Sequence, residues 1–556
     1  MSLETSIWPG AVLWIILVSA FLTAVISSLL LHRYRRETLQ AMNRLAGALP
    51  VPPRLPRPAV PEAEPLRILR HEAANAENGS PTSEAAWHRM RRSLRGLGWI
   101  YATGVLVYAA ALAGAWVAVA GHSPLRTALL WVSFAWPLVL AVGLVATTDG
   151  KERLGIAGLY AAIWGALAFL VLSRSPESSF PELMFLWLLL NAPATILLFS
   201  FARSGVRAVG PLVLAFVTLG VTGSTVAFDL LRRSGDAVLR PLAAAAASLG
   251  LDAWAVLAMV EGLGFAVMAL VGWAWWKRLG RRYEAKRFSD LSLRVDAMLL
   301  CFAVVHPLLL LNEGWIWGLT GLAGFLGYLV VTRVGFRVLR AAVPAGSAPK
   351  LLFLRVFALG RESERFFDRF STWWLRHGSI RLIAGPDLVT RTVSPRQFLD
   401  FVSGRHRQRF VTSPGDAVER IRTQDTLPDP DGRYRVTEFF CHADTWQTAV
   451  RLLAQDSDAV LMDLRGFSPA HQGCRWEIGQ LLDAVPLDRV VLLVDDSTQE
   501  TFLHDTLRHL WRTVDPASPN FARPHPEVHL FHLHRPDRTT LRALLRRLTR
   551  ERLSLL

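Results

Sequence analysis

DAVLMDLRG at residues 458–466 and RVVLLVDD at 489–496 decide how the C-terminal part of this chain is read. Each is a short, continuous apolar run that ends in charged residues. A strand that is apolar on both faces must be covered on both faces, which marks a parallel sheet held between helices. LLFLRVFA (351–358), SIRLIAG (379–385), RVTEFFC (435–441) and EVHLFHL (527–533) read as further strands. Between them, SERFFDRFSTWWLRHG (363–378), TWQTAVRLLAQ (445–455), CRWEIGQLLDAV (474–485) and TQETFLHDTLRHLWRTV (498–514) carry helical periodicity. The alternation predicts a doubly wound, mainly parallel, Rossmann-like α/β domain over 350–556.

Before Lys350 the composition changes. The chain has 556 residues and is 52% hydrophobic, and its long apolar runs fill residues 8–335. A spanning helix needs about 20 mostly apolar residues, so these runs predict an α-helical polytopic membrane domain of about nine spans. The candidates lie near 8–31, 98–120, 127–147, 155–173, 183–201, 209–228, 254–276, 296–312 and 315–335. The expected order is an N-terminal anchor span (1–36), a Pro- and Arg-rich cytoplasmic linker (37–96), a multi-span membrane domain (97–340) and the α/β domain. The first run does not read as a cleaved signal peptide. Its leading residues carry only Glu4, and Arg33, Arg35 and Arg36 follow it directly. Positive charge collects on the cytoplasmic side of membrane proteins, so the Arg-rich loops predict an outside N-terminus and a cytoplasmic α/β domain. The basic residues are nearly all Arg, which suits a GC-rich bacterial genome and an inner, plasma-membrane location.

The net charge of +16 at first suggests nucleic acid. Much of the excess borders apolar spans and is read as a topology signal, so the lipid bilayer is the expected partner and nucleic acid is not. A homo-oligomer stays open. Arg542, Arg546, Arg547 and Arg550 read as a solvated helix face. Three cysteines without a CxxC give neither a disulfide framework nor a zinc knuckle. Neither GxGxxG after a strand nor a P-loop occurs, so an ordinary dinucleotide fold or NTPase is unsupported. Glu261 and His306 lie inside apolar runs, where polar groups mark transport pathways when they face a cavity.

Ligands of doubly wound sheets bind at the carboxyl ends of the strands. That rule singles out Arg361, Asp463, Arg465 and Asp495, and the two arginines favour a phosphate-bearing ligand. His525, Glu527, His529, His532 and His534 look like a metal cluster. The two-residue period of a strand, however, puts His532 and His534 on one face and Glu527 and His529 on the other. No four-ligand site forms from these residues without help, and no metal is assigned.

The strand VLMDLRG, its following loop and a helix opening with Cys474, Arg475, Trp476 and Glu477 resemble the corresponding part of a TIR-like (Toll/interleukin receptor) flavodoxin-type domain. TIR domains that cleave NAD carry a C-x-x-E arrangement there. The resemblance implies Glu477 as catalytic glutamate, Cys474 as its neighbour in the site, and NAD as substrate or ligand. It covers the C-terminal third only. Gly473 and His471 stand where the family has Trp and Ser, and the stretch between the GPD loop (385–387) and Thr445 is longer than such domains hold. On the residues alone, Glu477 reads equally as a first-turn carboxylate facing the positive end of the helix dipole. Three functions therefore stand. One is a membrane sensor or signalling protein that binds a nucleotide or a protein through its TIR-like domain. The second is a membrane-anchored NAD hydrolase using Glu477. The third is a transporter with a regulatory cytosolic domain.

Overall fold

A computed structural model describes residues 8–43, 64–72, 81–184, 209–341 and 348–549, apart from 122, 148–149, 175–178, 183, 357–359, 385–392, 394, 425, 443–444 and 522. The chain forms two compact units. Met1–Tyr34, Gly96–Arg340 and Arg391–Gly404 make the first, and Arg35–Arg95, Ala341–Thr390 and Arg405–Leu556 make the second.

The first unit is helical. Its elements are α1 (Trp8–Asn43) and α2 (Pro81–Ala120), which both have parts in the second unit, then α3 (Pro124–Ala146), α4 (Gly150–Arg174), α5 (Gly210–Arg233), α6 (Asp236–Ser248), α7 (Ala253–Glu284), α8 (Asp290–Val305) and α9 (Thr320–Ala341). Among the described residues, 7 helical stretches are long and apolar enough to cross a membrane: Gly10–Met42, Trp87–Ala120, Lys151–Ser173, Gly210–Arg233, Ala253–Glu284, Asp290–Leu311 and Trp315–Arg340. Two expected spans are missing from that set. The run 183–201 lies outside the described residues, and 127–147 falls in α3, whose apolar part is only Arg126–Leu140.

The faces of these helices suit lipid. Met259, Leu263, Val267 and Leu270 on α7, and Leu322, Leu326, Val330, Val334 and Val338 on α9, recur every three or four residues and are all exposed. Apolar stripes of this length have no counterpart on an ordinary water-facing surface. Some of the polar groups pair within the bundle. Tyr328 donates its hydroxyl to Asp296 at 2.7 Å, and Ser224 donates to the carbonyl of Glu261 at 2.8 Å. His306 is flanked by the rings of Phe302 at 5.1 Å and Phe134 at 5.6 Å. Its Nδ1 lies 3.3 Å from the hydroxyl of Tyr108.

Small residues set the helix spacing. In the 318–327 run, Gly321 lies against the backbone of Ala303, and Gly324 against Tyr108 and Ala111. A tighter approach joins α5 to α7. A Cβ on Gly264 would lie 2.5 Å from the carbonyl oxygen of Gly223, and one on Gly223 2.6 Å from the oxygen of Gly264. Backbone cannot give way as a flexible side chain can, so Gly264→Val should push the two helices apart. The expected result is a lower melting midpoint in detergent, while Gly262→Val, with open space at its Cβ, leaves the midpoint nearly unchanged.

The second unit holds one 8-stranded sheet. Its strands are β1 (Arg67–Glu72), β2 (Lys350–Arg355), β3 (Ser379–Ile383), β4 (Phe410–Val411), β5 (Val436–Cys441), β6 (Ala459–Asp463), β7 (Val490–Val494) and β8 (Glu527–His532). Their order is β1-β8-β7-β6-β2-β3-β5-β4, and every pairing is parallel. The central five, β3-β2-β6-β7-β8, have the 2-1-3-4-5 order of flavodoxin-like doubly wound sheets. The helices are α10 (Gly360–Trp374), α11 (Pro395–Val402), α12 (Pro414–Arg422), α13 (Trp446–Gln455), α14 (Gln472–Ala484), α15 (Glu500–Trp511) and α16 (Arg538–Thr549). Alternate strand residues feed two cores. Leu352, Val460, Met462, Leu492 and Leu530 pack with α14 and α15, whereas Phe353, Leu461, Leu493 and Phe531 pack with α10 and α16.

Three features differ from the sequence reading. The segment expected to be a linker supplies β1, which pairs with β8 from Arg67↔Glu527 to Glu72↔His532. RILRHE is an edge strand with charged residues and lacks the continuous apolar pattern of a buried strand. The start of α2 also belongs to this unit: Trp87 stacks on Trp373 at 4.3 Å, and Glu84 pairs with Arg542 and Arg546. Those arginines are thus engaged inside the domain, where a solvated basic face was expected. Finally, the long stretch before Thr445 carries α11 into the first unit, where Phe398 meets Trp276 at 6.0 Å, and then adds β4 at the sheet edge.

A fragment of residues 345–556 should therefore be incomplete. It lacks β1, which would leave the edge of β8 open, and it lacks Trp87 and Met90 from the core beside α10 and α16. Joining residues 62–95 to that fragment through a flexible linker is expected to raise its solubility and melting midpoint. Equal behaviour of the two fragments would contradict this role for the N-terminal segment.

Candidate functional site at the carboxyl ends of the strands

In a sheet of this order the chain leaves β2 and β6 on opposite faces, and a crevice opens between their carboxyl ends. Asp463 is the last residue of β6 and is fully buried, paired in register with Arg355. The strand is fixed on both sides there: Val356 donates its N–H to the carbonyl of Asp463 at 2.9 Å, and Leu464 to that of Leu493 at 2.8 Å. Two residues on, Arg465 folds back over the strand end. Its Nε donates to Asp463 Oδ1 at 2.8 Å and its Nη2 to Oδ2 at 2.7 Å. Ser363, from the first turn of α10, donates to the same Oδ2 at 3.1 Å. The guanidinium lies over the ring of Phe366, 4.9 Å from its centroid. Gly466, with φ 68°, then turns the chain away, a conformation that favours glycine.

This arrangement revises the expected electrostatics. Burial opposes the charge on Arg465, but the hydrogen bonds and charge of Asp463, with the charges of Asp495 and Glu362, outweigh it and hold the guanidinium above its usual value. The cation expected to await a phosphate is already matched by acids. Asp495 itself shapes the next turn. It accepts from Ser497 N at 3.0 Å and Ser497 Oγ at 2.5 Å, and its carbonyl accepts from Thr498 N at 3.0 Å. Thr498 also donates to the carbonyl of Leu464 at 3.2 Å, tying the loops after β6 and β7 together. Arg361 is the second residue of α10, and its side chain lies outside the described part.

Glu477 and Cys474 do not join this group. Glu477 is the sixth residue of α14, so it sits in the second turn and not the first. It is only 4% exposed, and its Oε2 has no hydrogen-bond partner among the described residues. Burial pushes its carboxyl up to about 8, so the neutral acid prevails at neutral pH. Cys474 is buried in the apolar core with Ile478 and Leu481. The C-x-x-E pair thus faces the interior. Cys441 is equally inert, its thiol pushed up to about 12 by burial.

Sequence reasoning placed Asp463, Arg465 and Asp495 at strand ends, and the structure brings these three together. It missed Ser363 and Glu362, although a Ser and a Glu in the first turn of the helix after the first strand are where the crevice rule looks. No protein-family model matches this chain, and no curated protein or solved structure matches it either. The resemblance to TIR domains therefore rests on the quoted residues.

The buried Glu477 gives a pH test. Its folded value is raised above the ordinary 4.5, so the folded state loses stability as pH rises from about 4.5 to about 8 and is level beyond. At about 1.4 kcal/mol per pKa unit the loss is on the order of 5 kcal/mol. Glu477→Gln removes it. The variant should melt like the parent near pH 4.5 and progressively higher than the parent up to pH 8.

Proposed function

We propose that this chain is an integral membrane protein whose α/β domain lies in the cytoplasm and works by binding, as a sensor or signalling module. The observation that carries this reading is the closed Asp463–Arg465–Ser363 cluster at the switch point, set apart from a buried, neutral Glu477. A hydrolase acting through Glu477 needs an ionised carboxylate facing the ribose, and burial disfavours both conditions. A sensor needs a site with fixed geometry. Asp463 and Phe366 hold Arg465 in one orientation, and Asp463 uses only two of its five N–H donors. The side chain is 7% exposed, and the part of its edge that faces the crevice is already oriented, which lowers the ordering cost of binding.

The ligand class that fits is a nucleotide such as NAD or a nucleoside triphosphate, with its phosphates accompanied by a divalent cation. Glu362, Asp463 and Asp495 around Arg465 disfavour a bare polyanion. Titration of the full-length protein in detergent with NAD and with Mg²⁺-bound nucleotides, coupled to an assay for nicotinamide release, tests this. Saturable binding that Arg465→Ala weakens at least about tenfold, a loss of about 1.4 kcal/mol, is expected, with no nicotinamide released. Release that depends on Glu477 would restore the hydrolase. Absence of binding would leave the protein-interaction form of the signalling reading.

The topology follows from charge. Arg33, Arg35 and Arg36 close the first apolar run, and Arg89, Arg91, Arg92 and Arg95 precede the second. The positive-inside rule puts that segment in the cytoplasm and the N-terminus outside. Nine spans follow if α3 and the run 183–201 both cross, and either seven or nine puts the α/β domain inside. Alkaline phosphatase fused after Leu556 in a bacterial host should stay inactive, while a fluorescent protein there should fold. Active phosphatase would reverse the orientation.

A further inference from the structure

Two histidines and an aspartate meet where β8 ends. His532 is the last residue of that strand, and His534 follows two positions on; their ring centroids are 4.3 Å apart. The neighbouring strand supplies the third group. Val494 of β7 stands in register with His532, and Asp496 is two residues beyond it, as His534 is two beyond His532. One donor atom from each of Asp496, His532 and His534 lies within 4.8 Å of the other two. The pair of histidines that strand periodicity puts on one face thus gains a ligand that no inspection of β8 alone supplies.

One separation within the group matches the spacing of two ligand atoms on a shared ion. His532 Nε2 is 3.4 Å from Asp496 Oδ1, long for an N–H···O bond. Two ligand atoms on a tetrahedral ion with bonds of about 2.0–2.1 Å stand about 3.3–3.4 Å apart. The Glu500 carboxylate lies at the rim, 3.9 Å from the same nitrogen, where Arg70 of β1 holds it at 3.0 Å. The second observation is the burial of His532. Its side chain is 2% exposed, and its Nδ1 has no hydrogen-bond partner among the described residues. A ring buried with one nitrogen unsatisfied is not placed there by a hydrogen-bond network. Its Nε2, which faces Asp496 and Glu500, is the nitrogen left to coordinate an ion.

We propose that Asp496, His532 and His534 bind a divalent transition-metal ion of the zinc class at the carboxyl edge of the sheet. Two imidazoles and one carboxylate suit zinc and its first-row neighbours, whereas magnesium and calcium prefer oxygen ligands alone. Three protein ligands leave a coordination position, and exposed Asp496 and His534 leave it facing solvent. None of its ligands belongs to the Asp463–Arg465 pair, although Asp496 directly follows Asp495.

The test uses the full-length protein in detergent, expressed without a histidine tag and stripped with a chelator, then titrated with zinc chloride and separately with cobalt chloride. One ion per chain is expected, with visible absorption from cobalt in a low-coordinate nitrogen and oxygen environment. Loss of even an outer partner of a metal site costs about 10–100-fold in affinity, so Asp496→Asn and His534→Asn should each weaken uptake by at least about tenfold. Both residues are exposed and do not threaten the fold; His532→Gln should remove uptake as well, with gel filtration and circular dichroism checking that it remains folded. Failure to take up about one ion per chain, or undiminished affinity in the Asp496→Asn/His534→Asn double variant, would overturn the assignment.

Discussion

Strands buried on both faces cannot meet water on either side, and this requirement organises the second unit. AVLMD in β6 and VVLLV in β7 are buried at every position. Helices must therefore lie on both sides, and parallel strands need crossovers long enough to carry them. Those crossovers fix the order β3-β2-β6-β7-β8, and the order in turn makes the chain part in opposite directions between β2 and β6. The acidic strand end at Asp463 and the folded-back Arg465 sit at that parting. The chemistry of the crevice is thus a consequence of how the apolar strands are covered.

The helical unit meets the opposite problem. Its helices carry apolar stripes outward and close their polar groups inward, as with Asp296 and Tyr328. Lipid offers no hydrogen bonds, so backbone groups must be satisfied within each helix, and association then relies on close contact. Gly223 against Gly264 is such a contact. Helix α11 shows that chain order does not separate the units cleanly: it lies between two strands in sequence and belongs to the helical unit.

Much of this was legible in the sequence because two periods differ so clearly. β2, β3, β6, β7 and β8 were found within a few residues of their ends, as continuous apolar runs bounded by turn residues. β1 was not, since RILRHE exists as a strand only because β8 offers it an edge. β4 has two residues and carries no pattern at all. At the site, Asp463 and Arg465 were visible as strand-end residues, but their pairing was not. Alternate residues of a continuing strand would share a face without closing a fork, and it is the turn at Gly466 that lets Arg465 reach back. The surroundings of Glu477 were out of reach for a related reason. The C-x-x-E spacing fixes which helix face the glutamate shares with Cys474, but only the packing of α14 shows that this face is the core. Asp496 was out of reach of any reading of β8, because the register Val494↔His532 is a tertiary fact.

The central claim is that the domain binds its ligand at the carboxyl ends of β2, β6 and β7. Hydrogen–deuterium exchange on the full-length protein in detergent, with and without a Mg²⁺-bound nucleotide, addresses it most directly. Slower exchange is expected at 464–472 and 495–500, with no change at 487–489, at the amino end of β7. Unchanged exchange in the first two segments, or protection confined to 487–489, would contradict it.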